Sequence, residues 1–329
     1  MKFITRTAQK SLRIINGCIT LQRHGYPSVM LSYDAGIGDD LMCTCVLHEL
    51  RKRGHDKVWM FSNHPKLFQD NADVDVVLPH DPHVKKLAAR RGGQLAPLCL
   101  VEVVEEGRRH IPPSCHIITH LCKIVGIPGQ ISVRPYLFLS ETEKQRGRIV
   151  PNQIAIQSSG FGARYPVVEK EYYPERVQQV AEVIGADYQV IQIGAKSDPA
   201  LIGAIDLRGK TTLRETAAIL NQSLLFVGQV GLLMHLARSV DCRSVIIYGG
   251  REHPLQSGYC CNENLYSAIS CAPCWRVNSC EFDRECMKQI TPDIILDAVR
   301  KQIEQHGQPL AVRVEDTCST ALDYLRKPN

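Results

Sequence analysis

The chain has 329 residues, 44% of them hydrophobic and 22% charged, with a formal net charge of +5. That length exceeds one ordinary core and suits two units of typical size, and the composition excludes a disordered chain. The positive charge is too small and too dispersed for a nucleic-acid binder, with aromatic residues at only 6%; it fits a small anionic ligand or an anionic surface.

Along the chain, no apolar run reaches the length of about 18 residues that a membrane span needs. The opening residues 1–21 lack the apolar core and small-residue cleavage site of a secretory leader. Lys2, Arg6, Lys10 and Arg13 can rest on lipid headgroups at a membrane face or, more simply, lie on a solvated helix or arm. Fourteen cysteines in a long chain without a leader fit a reduced, cytoplasmic setting with at most peripheral contact at the inner membrane face. Cys18, Cys43, Cys45, Cys99, Cys122 and Cys242 stand in apolar stretches and read as small core residues.

The first strong pattern is the apolar run 28–33. It leads through Asp34-Ala-Gly-Ile-Gly38-Asp39-Asp40 into a helix-period stretch over 41–53 that ends in Arg51-Lys-Arg-Gly54. Strand, glycine turn and helix open a Rossmann-like unit. Strands are expected over 57–61 and 74–78, and a helix over 114–125. A charged stretch over 141–148, followed by Pro151, marks a boundary. The alternation then restarts, with strands over 154–157, 188–193, 224–227 and 244–248. Helices are expected over 174–184, 213–220, 232–240 and 292–305. This predicts a second parallel sheet covered on both faces. The expected division is an N-terminal Rossmann-like unit over 1–148 and a second one over 149–312, with a cysteine-rich excursion at 260–287. A C-terminal helix over 313–329 is expected to return to the first unit.

Two glycine turns carry the candidate chemistry. Gly36-Ile-Gly38-Asp39-Asp40 lacks both the Lys-Ser/Thr of a P-loop and the third glycine of a dinucleotide fingerprint. It places two carboxylates at a helix N-terminus, either as caps or as a general base at the carboxyl end of the first strand. Phe226-Val-Gly228-Gln229-Val-Gly231-Leu-Leu-Met-His235 is again strand, turn and helix. Its free N–H groups and helix dipole suit a diphosphate, and its two glycines let a bulky ligand approach. His235 either donates to a phosphate or packs beneath the turn. Arg251, after the strand over 244–248, either pairs with a phosphate or sits in solvent. His116 and His120, at i and i+4, are more simply packing or acceptor contacts than a metal site. Cys271, Cys274, Cys280 and Cys286 lie within sixteen residues. They can hold structural zinc or iron, remain free thiols, or form disulfides.

Three segments in order resemble the heptosyltransferase family, glycosyltransferase family 9. They are Gly36-Ile-Gly-Asp39 with the helix after it, the stretch from Asp206 through the Gly228–Gly231 turn to Gly250, and Cys271-Ala-Pro-Cys274 to Cys286-Met-Lys-Gln-Ile. The resemblance covers about residues 28–305 and implies a GT-B fold, with two Rossmann-like units facing a cleft. It implies an inverting glycosyltransferase with no metal or cofactor needed for the chemistry. A nucleotide-diphosphate sugar would be the donor and a glycan, metabolite or protein hydroxyl the acceptor. Asp39 would be the base, Gly36, Gly38 and Asp40 its turn, and Gly228, Gln229, Gly231 and His235 the donor side. Where the family carries an aspartate and a second glycine, this chain has Val230 and Leu232. Where the family carries a phosphate lysine, it has Glu171, with Lys170 beside it and Arg164 and Lys196 on neighbouring loops. These departures argue for a donor other than ADP-heptose. They also leave room for a non-catalytic nucleotide-sugar binder or a GT-B-type epimerase.

Overall fold

The computed structural model describes residues 14–34, 36–99, 102–104 and 109–318. Lys2, Arg6, Lys10 and Arg13, the basic residues considered for lipid contact, lie outside them. Among the described residues no helix is long and apolar enough to cross a membrane.

Two parallel sheets organise the chain. The first contains β1 (Val29–Ser32), β2 (Val58–Phe61), β3 (Val76–Leu78) and β4 (Gln94–Pro97) in the order β3-β2-β1-β4. The second contains β8 (Gln153–Ile156), β9 (Gln189–Gln192), β10 (Ile205–Asp206), β11 (Leu225–Gln229), β12 (Ser244–Gly249) and β13 (Glu263–Tyr266) in the order β10-β9-β8-β11-β12-β13. The central strands β1, β2, β8, β11 and β12 read as apolar runs because helices cover both faces.

Helix α1 (Ile37–Lys52) starts where the Asp39 carboxylate accepts the Gly36 N–H, and it ends on Arg51 and Lys52. Acidic residues in the first turn and basic ones in the last both complement the helix dipole. Leu41, Met42, Cys45, Val46 and Leu50 are buried on α1. They share one core with Leu233, Met234, Leu236 and Ala237 of α7 (Leu232–Ser239). The first helix of one sheet thus packs on the helix after β11 of the other. A second core lies on the far face of the second sheet, where α5 (Pro174–Ile184) and α10 (Pro292–Glu304) cover it. A third lies under Trp59 and Phe61, closed by Leu21, Val84 and Ala88.

Two segments cross between the sheets. In the first, the charged stretch that marked a boundary folds as α4 (Glu141–Arg146), with Ser140 and Glu143 forming a reciprocal cap. Arg214, buried on α6 (Leu213–Asn221), holds α4 through both Glu143 oxygens at 2.6 and 2.7 Å and takes the Phe138 carbonyl at 2.7 Å. This pair keeps the Glu143 carboxyl down at about 2, chiefly through its hydrogen bonds to Arg214. The second crossing departs from the expected helix over 313–329. Residues Val314–Asp316 instead form β14, antiparallel to β7 (Gln130–Ser132) of the first half. An exposed-intermediate-exposed alternation suits an edge strand. Residues 319–329 lie outside the described residues.

Candidate functional site

In open parallel sheets, ligands bind at the carboxyl ends of strands where the strand order reverses direction. In the first sheet that point is β1, flanked by β2 and β4; in the second it lies between β8 and β11. The turn after β1 carries Gly36 to Asp40, and the turn after β11 carries Val230 and Gly231. The loop from β8 to α5 carries Arg164, Lys170 and Glu171. The two turns meet across a cleft: a Cβ placed on Gly38 would lie 3.5 Å from the Leu232 Cα and 3.7 Å from the His235 ring.

Asp39 occupies the third position of α1 and accepts the Gly36 N–H at 2.7 Å. Its carboxyl is pushed up to about 6, chiefly by burial. The Gly36 hydrogen bond and the Lys170 charge oppose that, while Asp40 and Glu252 add to it. Capping and a base near neutrality therefore coincide in one side chain. Asp40 turns the other way. It is 3% exposed and accepts from Ser62 Oγ at 2.5 Å and His64 Nδ1 at 2.8 Å, so it braces the loop after β2.

On the opposite wall the two glycines differ. At Gly231 a Cβ would meet nothing within 4 Å, and the first N–H groups of α7 open beside it. At Gly228 the space for a Cβ is filled by the Phe226 ring, 2.3 Å away. Gly228 therefore serves the packing of Phe226 rather than the approach of a ligand. Val230 is buried, and its N–H donates to the Ile247 carbonyl at 3.2 Å. Gln229 is 2% exposed. Its Oε1 accepts the Tyr172 N–H at 3.1 Å, tying β11 to the β8–α5 loop, while its Nε2 is buried without a partner. His235 points inward to the Tyr259 hydroxyl, Nδ1 to O at 2.6 Å. Burial lowers it to about 4, so it is neutral at pH 7.

A charged cluster fills the cleft beside Asp39. Lys170 Nζ lies 2.5 Å from Glu252 Oε1, and Arg251 Nη1 reaches the same oxygen at 3.0 Å. Burial pushes the Glu252 carboxyl up, but the two cations hold it down at about 2. Lys170 is lowered by burial, with Glu252 opposing and Arg251 reinforcing the shift. Arg251 is neither solvated nor presented to a ligand. It donates to the Arg276 carbonyl at 2.9 Å, meets His110 Nδ1 at 3.1 Å and lies over the Trp275 ring at 5.2 Å. His110 belongs to the hairpin β5 (Glu102–Val104) and β6 (Arg109–Ile111), so this contact joins the two halves. Arg164 and Lys196 remain on exposed loops after β8 and β9, Arg164 stacked on Tyr165 at 5.2 Å. His116 caps α3 (Ile117–Val125) and reaches the Gly258 carbonyl at 3.1 Å; burial lowers it to about 3. It is a packing residue.

The four cysteines gather around β12 without forming a ligand set. Among the described residues no three His, Cys, Asp or Glu side chains are arranged to hold a metal ion. All four thiols are free. Cys280 Sγ accepts the Arg284 N–H at 3.4 Å, and Cys286 is pressed against Gly250, whose Cβ would stand 3.0 Å away. The tetrahedral arrangement left open by the spacing is not assembled among the described residues.

Glu252, His110, Tyr172 and Tyr259 complete the site, and the sequence reading passed over them. Glu252 stands one residue beyond Arg251 at the end of a strand, the only available signal; burial of a loop glutamate has no sequence signature.

No protein-family model and no curated relative matches the sequence. Solved structures do. A family 9 glycosyltransferase from Veillonella parvula superposes with a TM-score of 0.65 at 15% identity, covering 84% of this chain and 97% of that one. The iron-containing dodecameric glycosyltransferase TibC from enterotoxigenic E. coli gives 0.67 at 16%, covering 85% and 77%; TibC has also been solved with ADP-D-β-D-heptose. The E. coli ADP-heptose lipopolysaccharide heptosyltransferase II gives 0.60 at 14%, covering 84% and 99%. Two facing parallel α/β sheets, matched over more than four fifths of the chain, give this protein the GT-B fold of the family 9 glycosyltransferases.

Proposed function

We propose that this protein is an inverting glycosyltransferase that moves a sugar from a nucleotide-diphosphate donor to a hydroxyl acceptor, with Asp39 as the general base. The carrying observation is the position of Asp39: a carboxylate raised to about 6 at the carboxyl end of β1, on the turn whose Gly38 lies against the start of α7 at Leu232. Donors of this class are bound by TibC, and the turn after β11 offers the backbone N–H groups that a diphosphate needs.

In this reading the acceptor hydroxyl lies against Asp39, which takes its proton as the oxygen attacks the anomeric carbon. The new C–O bond forms as the bond to the diphosphate oxygen breaks, and the electron pair leaves with the nucleoside diphosphate. That negative charge meets the α7 N–H groups and the Lys170 ammonium. The proton on Asp39 is then released to solvent. A carboxyl at about 6 is mostly ionised at pH 7 and still basic enough to accept a proton in the transition state.

Asp39→Asn tests the reading with a panel of ADP-, GDP-, UDP- and dTDP-sugars. The wild type should release the nucleoside diphosphate in the presence of an acceptor. The variant should bind donor equally and lose transfer by about 10²- to 10⁴-fold; unchanged transfer refutes the base. A second reading, a non-catalytic nucleotide-sugar binder, draws on Val230, a core residue where the family carries an acidic donor contact. Donor binding by the wild type with neither transfer nor hydrolysis would favour it.

A further inference from the structure

Glu252 is 3% exposed, and its carboxylate lies at the centre of the charged groups of the cleft. Lys170 comes to it from the β8–α5 loop at 2.5 Å. Arg251 braces the same oxygen at 3.0 Å and is itself fixed by the Arg276 carbonyl, His110 and the Trp275 face. Ser257 of α8 (Pro254–Ser257) donates to it. Asp39 of α1, His235 of α7, Tyr248 of β12 and His110 of the β5–β6 hairpin all feel its charge.

We propose that Glu252 is a positioning residue that fixes the Lys170 ammonium in the cleft opposite Asp39, so that the lysine meets the departing diphosphate already oriented. The proposal rests on the reading of the cleft as a glycosyl-transfer site. Lysine is a point charge on a flexible four-carbon stem, and its three donors take no direction of their own. Left free at the end of a loop, it would have to be ordered each time a donor bound. One donor given to a rigidly held carboxylate leaves two for the diphosphate in a preset geometry, the condition for electrostatic stabilisation without reorganisation. Arg251 does not take the lysine's part, because it is buried and each of its three nitrogens already has a partner in the Arg276 carbonyl, Glu252 or His110.

The test uses the full-length protein as wild type, Glu252→Gln, Lys170→Met and the double variant. Glu252→Gln keeps the shape and removes the charge. It should lower kcat by about 10²-fold, the cost of misplacing a catalytic contact by about 1 Å. The double variant should be no slower than Lys170→Met alone, because both changes remove one interaction. The acid limb of kcat/KM should also move to lower pH in Glu252→Gln, because a negative charge that holds the Asp39 carboxyl up has gone. Additive losses with an unmoved limb would mean that Glu252 only supports the fold, and would overturn the proposal.

A labelling measurement stands apart from the transfer assay. With acetic anhydride at pH 8 and mass-spectrometric readout, Lys170 should react at least about tenfold more slowly in the wild type than in Glu252→Gln, each rate taken relative to exposed Lys196, because the carboxylate both occupies the amine and favours its charged, unreactive form. ADP, GDP, UDP and dTDP should not be required for that protection. Equal rates overturn the Glu252–Lys170 contact. Slow labelling with no transfer from any donor leaves that contact standing and instead rejects the glycosyltransferase reading.

Discussion

Gly228 and Gly231 stand three residues apart, and a methyl group on each should have opposite consequences. On Gly228 it would lie 2.3 Å from the Phe226 Cζ and 2.9 and 3.1 Å from the two Cε atoms. Phe226 is fully buried in the core between the sheet and α7, so the ring has no free direction. Overpacking of this kind costs about 1–3 kcal/mol, against which the lower entropy of an unfolded alanine returns about 0.4–1 kcal/mol. A net loss of about 1–2 kcal/mol follows, or several degrees of Tm at about 2–4 °C per kcal/mol. On Gly231 the methyl meets nothing, and the backbone there is extended. Gly231→Ala should keep or slightly raise Tm while standing at the mouth of the α7 N-terminus, so donor binding should fall. Thermal melts by circular dichroism with and without nucleoside diphosphates separate the two effects. Equal Tm losses for both variants, or an unchanged Tm for Gly228→Ala, would refute the division between a packing glycine and a site glycine.

Other consequences are open to measurement. Transfer should fall as pH drops through about 6, where Asp39 takes a proton; a profile flat down to pH 5 would exclude Asp39 as the titrating base. The same group, raised in the folded state, favours folding below its ordinary value of 3.8, and that contribution is lost as pH rises through about 6. Asp39→Asn should therefore gain stability relative to wild type at pH 8 compared with pH 5, as read by denaturant titration. Arg214→Met removes a buried guanidinium from Glu143 and the Phe138 carbonyl and should cost about 1.5–3 kcal/mol. Protease cleavage between residues 138 and 148 should quicken with it, and an unchanged cleavage rate would show that the linker is held by other contacts. Iodoacetamide at pH 7.5 should modify exposed Cys260 before Cys274 and Cys286, whose thiols are pushed up chiefly by burial; peptide mapping gives the order.

The regular part of this fold was legible because its strands are continuous apolar runs and its helices carry their own stop signals. The helix over 174–184 was set by Pro174 at its first position and by a buried stripe of Val177, Val180, Ala181 and Ile184. The short β4, β7, β10 and β14 escaped notice because two to four half-exposed residues carry no periodicity. β14 is held by its pairing with β7, a contact nearly two hundred residues away in sequence. The charged stretch at α4 looked like a tether because its partner, Arg214, comes from another helix. In the site, the turns of Asp39 and Gly231 were visible as glycine between strand and helix. The Lys170–Glu252–Arg251–His110 cluster was not, because it is built from two loops and a hairpin that only the folded chain brings together.

The pairing of β14 with β7 means that the chain passes between the halves twice, once on the way out along α4 and once on the way back. A break in either crossing would leave the halves joined by the other and by the core that α1 and α7 share, so the walls that carry Asp39 and Gly231 would keep their places after a single cut.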